Sequence, residues 1–301
     1  PQVCQDIHVE FSDGRKIEWL RKSPMERNIF QVQFQGRKVV STLELMDLIS
    51  KERYSGRISI PRFSGIFGDR KDFVIPPYLM GVLLGDGILG KGVSWCKPDK
   101  FIADKIRGMV DYDVIASDDR YLITNTENRK ANKYLAELKN LGLLNAHSYE
   151  KFIPDMYIDT CRDQRVELLN GLLDTDGDID KNGAICYNTT ECKLARGVQT
   201  LCWSLGYKCS LRERRSFLYG ERKRNSFRLV IVADNPRECF TLPRKFDRVR
   251  MDRRNKPLTV MSVTPTNRRV ECQCISVSHE KALYITDDYI VTHNTAVTLH
   301  L

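Results

Sequence analysis

The chain has 301 residues, enough for two compact domains each with its own apolar core. Hydrophobic residues make up 42% and charged residues 29%, ordinary for a globular protein; no run is long and apolar enough to span a bilayer, and no signal segment opens the chain. These features lead us to expect a cytoplasmic protein. Lys and Arg number 48 against 39 Asp and Glu, a formal charge of +9 that favours an anionic partner such as nucleic acid.

In chain order, residues 1–75 alternate apolar and polar residues in short runs. Strands are predicted at Ile7–Phe11, Lys16–Leu20, Phe30–Phe34 and Arg57–Ile60, the first pair joined by the turn Ser12-Asp13-Gly14. Ser41, with Glu44 three positions on, predicts a capped helix running to about Ile49. After Pro76-Pro77 helical periodicity takes over, at Tyr78–Gly85, Lys130–Leu141, Arg165–Leu173 and Lys193–Leu205. Short strands are predicted between them, at Tyr121–Thr124 and Ala184–Tyr187. From about residue 257 the pattern returns to β runs, at Thr259–Val263, Cys274–Val277 and Leu283–Thr286. An all-β segment, a mixed segment and a second all-β segment suggest one domain inserted into another.

Ten cysteines contain no C-x-x-C pair, and the five histidines are scattered, so neither zinc nor a disulfide framework is expected. The middle segment instead holds a near-repeat. Leu79-Met80-Gly81-Val82-Leu83-Leu84-Gly85-Asp86-Gly87 aligns without gaps to Leu169-Asn170-Gly171-Leu172-Leu173-Asp174-Thr175-Asp176-Gly177. Each copy is followed by strands and then by an amphipathic helix ending in Leu-Gly, at Leu141-Gly142 and Leu205-Gly206. Gly81 and Gly171 would let two helices approach closely and bring Asp86 and Asp176 side by side. A carboxylate at a helix C-terminus opposes the helix dipole, and two adjacent carboxylates repel, so a divalent cation is the natural counter-charge.

The two nonamers resemble the paired signature of LAGLIDADG homing endonucleases. The resemblance implies that Asp86 and Asp176 bind catalytic metal, with Mg²⁺ as cofactor. Lys151-Phe152-Ile153-Pro154 resembles the lysine segment of intein-borne members, which makes Lys151 a further catalytic candidate. Metal-assisted cleavage of double-stranded DNA is the implied reaction. The stretch 207–230 carries Lys208, Arg212, Arg214, Arg215, Arg222, Lys223, Arg224 and Arg228 against Glu213 and Glu221. With Tyr219-Gly220 near its middle it reads as a basic hairpin for the DNA groove.

The C-terminal Leu283–Thr295 stretch resembles the end of inteins. Asn294 has a side-chain amide able to attack its own carbonyl carbon, forming a succinimide and releasing the Thr295 amine. His293 can polarise that carbonyl or protonate the leaving amine, and Thr295 offers an acyl-accepting hydroxyl. The implied fold class is α+β: an all-β Hint-type splicing domain (1–75 and 236–294) interrupted by a pseudo-two-fold α/β endonuclease domain (76–235). Residues 295–301 are expected to be host sequence resembling the helix after a phosphate-binding loop, as in a P-loop ATPase such as a phage terminase or helicase. Departures from the intein pattern stand at Cys4, which lacks the usual opening context, at Met25-Glu26-Arg27-Asn28 in place of Thr-x-x-His, at Cys274 and at Ala282. They lead us to expect the C-terminal portion of a split or truncated intein, with an N-terminal intein fragment as partner. Two other readings remain open: an insert that only binds DNA, and a free-standing endonuclease.

Overall fold

The computed structural model describes residues 2–21, 29–33, 37–51, 56–96, 99–125, 132–215, 217–218, 221–222, 224–250, 257–272, 277–280 and 283–293. The chain forms two compact units, Pro1–Ser64 with Lys256–Leu301, and Gly65–Asn255.

The first unit is built on strands. Gln2–Phe11 pairs antiparallel with Lys16–Arg21 and, on its other edge, with the long strand Leu258–Cys272. The sheet continues in the order Leu258–Cys272, Ser59–Ile60, Ile29–Gln33, Val291–His293 and Leu283–Ile285, with Arg37–Ser41 also on Ile29–Gln33. Side chains two apart point to one face, so Val9 with Phe11, Ile58 with Ile60, and Leu258 with Val260 fill a single core. Helix α1 (Thr42–Ser50) adds Leu45 to it. At the predicted turn Gly14 takes φ +88°, and the buried Arg15 pairs with Asp13 at 2.9 Å. Arg15 also donates to the carbonyls of Asp288 and Tyr289, both at 3.3 Å, tying this turn to the bend before the last strand. Strand Arg37–Ser41 was not predicted, and Cys274, Ala282 and residues 25–28 lie outside the described residues.

The second unit repeats one topology twice. Helix α2 (Pro77–Asp86) begins with proline at its first turn and passes through Gly87 into a four-stranded sheet ordered Gly87–Leu89, Val93–Cys96, Arg120–Thr124, Asp113–Ala116. Helix α3 (Lys100–Arg107), capped by Asp99 accepting from the Phe101 amide, lies between the second strand and the hairpin, and α4 (Lys133–Asn140) follows the hairpin. The second copy runs from α5 (Arg162–Asp176) into Gly177–Ile179, Ile185–Thr189, Ser226–Val232 and Lys208–Arg214, in that sheet order. Helix α6 (Cys192–Ser204) and the short α7 (Pro243–Phe246) complete it. The counterpart of α6 is therefore α3, not the helix ending at Leu141-Gly142 that the sequence paired with it. The eight residues of α3 bury only Ile102, Ala103 and Ile106, too short a stripe to stand out.

This unit extends beyond the sequence-based bounds of 76 and 235 at both ends. Buried Arg165 donates to the carbonyls of Gly65 (2.8 Å) and Phe67 (3.3 Å), which fastens the front extension to α5. Residues 236–250 are held to α5 by Asp174 and Lys245, described below. Among the described residues, no helix is long and apolar enough to cross a membrane.

Candidate active site and nucleic-acid interface

Helix α2 is apolar on most sides, α5 mixes apolar with polar residues, and both are largely buried. A Cβ on Gly81 would lie 2.9 Å from the Cα of Gly171, and one on Gly171 would lie 2.9 Å from the Cα of Gly81. Each would also collide with a backbone carbonyl, of Leu168 and Tyr78 respectively. Only glycine at both positions permits this approach, and it aligns the two C-terminal ends.

Asp86 and Asp176 meet there, close enough for each carboxyl group to shift the other's protonation. Burial raises the pKa of Asp86, while Lys151 and Lys245 oppose the rise. Burial, and then the Asp86 charge, push Asp176 up to about 6 against the same two ammonium groups. Beside them the fully buried Tyr187 hydroxyl has no hydrogen-bond partner among the described residues, and it feels both carboxylates.

Lys151 is 3% exposed and donates to the carbonyls of Leu83 (2.9 Å), Gly85 (3.0 Å) and Gly87 (2.9 Å). Lys245, absent from the sequence-based set, does the same on the other helix. It reaches the carbonyls of Leu173 (2.7 Å), Asp174 (2.8 Å), Thr175 (3.2 Å) and Gly177 (2.7 Å). These ammonium groups satisfy the orphan carbonyls at the two helix ends and offset the dipole that the carboxylates oppose. Burial pulls both lysines down to about 8. The sequence hides Lys245 because it follows a proline, in Leu242-Pro243-Arg244-Lys245, whereas Lys151 precedes one, and the register that aligns the nonamers pairs Lys151 with Thr241 instead.

The donor set suits a hard divalent cation: two half-buried carboxylates, strongly inclined to share a positive charge, with an unpartnered buried hydroxyl nearby. Among the described residues no cluster of three or more His, Cys, Asp or Glu could hold a metal. A cleft lined by Gly85, Lys151, Asp176, Asn188 and Ser226 opens from Asp176 onto the second sheet.

That sheet carries the basic hairpin. Lys208–Arg214 pairs with Ser226–Val232, and Phe217–Leu218 with Glu221–Arg222 prolongs the hairpin beyond them. Arg212 stands directly opposite Arg228, a like-charge pair that an anion would relieve. Arg212, Arg214 and Arg215 are exposed and Lys208 is half-buried. Arg224 lies 4.0 Å over the Tyr149 ring, which in turn stacks on His147. Arg228 is half-buried, 3.8 Å from Asp180 and donating to the Cys186 sulfur at 3.1 Å, so part of its charge is used internally. Lys223, Tyr219 and Gly220 lie outside the described residues, as does the Arg222 side chain. His293 ends the last strand of the other unit, opposite Leu283 and Ile29; its side chain, Asn294 and Thr295 are also outside them.

Residues 163–241, which run from α5 through the basic hairpin, match the LAGLIDADG-like domain family. Across nearly the whole chain, the sequence is similar to a replicative DNA helicase DnaB of Mycobacterium intracellulare, 26% identical over 317 residues, covering 97% of this chain and 50% of the helicase. The chain thus spans about half the length of that curated relative. Among solved structures, mesophilic variants of the homing endonuclease I-DmoI match at a TM-score of 0.30 and 15% identity, over 52% of this chain and 88% of that one. An I-DmoI variant in complex with its target DNA in the presence of Mn matches at 0.32 and 16%, over 52% and 86%.

Proposed function

We propose that the Gly65–Asn255 unit is a site-specific endonuclease that hydrolyses phosphodiester bonds in duplex DNA. The observation that carries this reading is the paired arrangement of Asp86 with Lys151 and Asp176 with Lys245 across the Gly81–Gly171 contact. Asp86 and Asp176 would hold divalent cation, Mg²⁺ by preference for oxygen ligands, which when bound supplies an activated water and neutralises charge on the leaving oxygen. Lys151 and Lys245 fix the two helix ends and place positive charge beside the scissile phosphate. Arg212, Arg214 and Arg215 hold the duplex by its phosphates, with the strand-borne side chains facing its major groove. Plasmid carrying an uninterrupted copy of the host gene should be linearised in Mg²⁺. Either Asp86→Asn or Asp176→Asn should lower the cutting rate by about a thousandfold, the loss of several kcal/mol of transition-state stabilisation, with DNA binding retained. Normal cutting by the doubly substituted protein would remove the assignment.

A second activity is favoured by the other unit. Its last strand, Val291–His293, is paired and leads directly into Asn294-Thr295. We read this as the C-terminal part of a protein-splicing element, Asn294 cyclising and Thr295 accepting the acyl group. The similarity to a DnaB helicase over half that protein's length supports a P-loop helicase as host.

A further inference from the structure

Asp174 has no counterpart in the first half of the site. It occupies the sixth position of the second nonamer, where the first nonamer has Leu84. Its carboxylate is 1% exposed and far from solvent screening, yet it is fully used. Oδ1 accepts from the backbone amides of Thr241 (3.0 Å) and Leu242 (3.2 Å); Oδ2 accepts from the Tyr78 hydroxyl (2.9 Å) and from the Thr241 hydroxyl. Four donors on one buried carboxylate make a strong charge-assisted anchor. Three of the four come from the segment 241–242, three residues before Lys245, and the fourth, from Tyr78, ties the same carboxylate to α2. Lys245 then returns to the backbone of Asp174 itself and to its neighbours. One residue thus grips both the turn that carries the lysine, by its side chain, and the ammonium group, by its carbonyl.

Lys151 is placed differently. The segment after it is fixed by apolar burial, Ile153 and Pro154 being buried, and the residue matching Asp174 is the buried Leu84. We propose that Asp174 is a positioning residue that sets Lys245 against the second carboxylate, so that the two halves of the site place equivalent ammonium groups by a polar anchor in one and an apolar anchor in the other. The role assigned to Lys245 in cutting rests on the endonuclease reading; its placement by Asp174 does not.

The test reads placement and reaction separately. The intact chain and its Asp174→Leu and Asp174→Asn variants are labelled with an amine-reactive reagent, and modification of each lysine is measured by mass spectrometry. In the unsubstituted protein Lys151 and Lys245 are both protected. With Leu at 174, Lys245 labelling should rise by about tenfold, as expected for loss of a hydrogen-bonded charge, while Lys151 stays protected. Asn keeps an acceptor for the two amides and should restore most of the protection. Continued protection of Lys245 in the Leu variant overturns the proposal. Equal exposure of both lysines in either variant also overturns it, by making Asp174 a general structural residue. In single-turnover cutting, Asp174→Leu should slow the chemical step as much as Lys245→Met does, without weakening DNA binding, and the double variant should be no slower than either. Absence of cutting by the unsubstituted protein would defeat the endonuclease reading and leave the labelling result to decide this one.

Discussion

At the scale of single residues, the carboxylate pair links stability to pH. Asp176 has an ordinary value of 3.8 when unfolded and about 6 when folded, so the folded chain holds the proton more tightly. The contribution of this group is fully present below about pH 4 and is lost as pH rises through about 6. Without added metal, Asp176→Asn should therefore raise the melting temperature above pH 6 and leave it unchanged near pH 4. Mg²⁺ should stabilise the unsubstituted protein at pH 7.5 and have little effect on the variant. Because cation binding needs both carboxylates ionised, cutting should weaken as pH falls below about 6. Thermal melts across pH with and without Mg²⁺ check both statements; a melting temperature for Asp176→Asn that tracks the parent at every pH would contradict the linkage.

At the scale of elements, the helix pair and the basic hairpin make separate predictions. Gly81→Ala or Gly171→Ala forces a methyl into a space already filled by the partner backbone, and should destabilise the unit by about 1–3 kcal/mol or more. Since the same contact aligns Asp86 with Asp176, cutting should fall further than the loss of folded protein explains. Charge reversal at exposed Arg214 and Arg215 should instead leave folding intact and flatten the plot of log affinity against log salt by about two units; an unchanged slope would move the DNA surface elsewhere. Legibility in the sequence followed the same division. The paired nonamers and the glycine contact show in a single reading because helix period, small residues and a repeated carboxylate all agree, whereas Lys151 shows only through the resemblance of Lys151-Phe152-Ile153-Pro154 to a family segment. Helix α3, strand Arg37–Ser41 and Lys245 did not show: the first two are short, and the third reaches its place through the Asp174 carboxylate, a long-range polar tie that leaves no periodic trace. The same tie explains why 236–250, read as flanking β structure, folds with the central unit.

At the scale of the whole molecule, the two proposed chemistries fall in different compact units with different cores. The carboxylates and lysines belong to Gly65–Asn255, and the strand leading to Asn294 belongs to the unit that Pro1–Ser64 and Lys256–Leu301 form. Substitutions in one should then leave the other reaction untouched. Asn294 attack needs only its own side chain and carbonyl, so scission at Asn294–Thr295 should occur slowly even without upstream acyl transfer, releasing residues 295–301. Stored at neutral pH, the protein should yield a minor species lacking that peptide by mass spectrometry. Asn294→Ala should remove the species, and His293→Ala should slow it, since the imidazole polarises the carbonyl or protonates the departing amine. Acyl transfer from an upstream Cys- or Ser-led junction to Thr295 should accelerate it, because it forms the branched intermediate whose resolution requires Asn294. Asp86→Asn should change none of these rates, and Asn294→Ala should cut DNA like the parent. Loss of scission in Asp86→Asn would show that the two reactions are coupled, and extein joining at full rate in Asn294→Ala would remove the splicing assignment altogether.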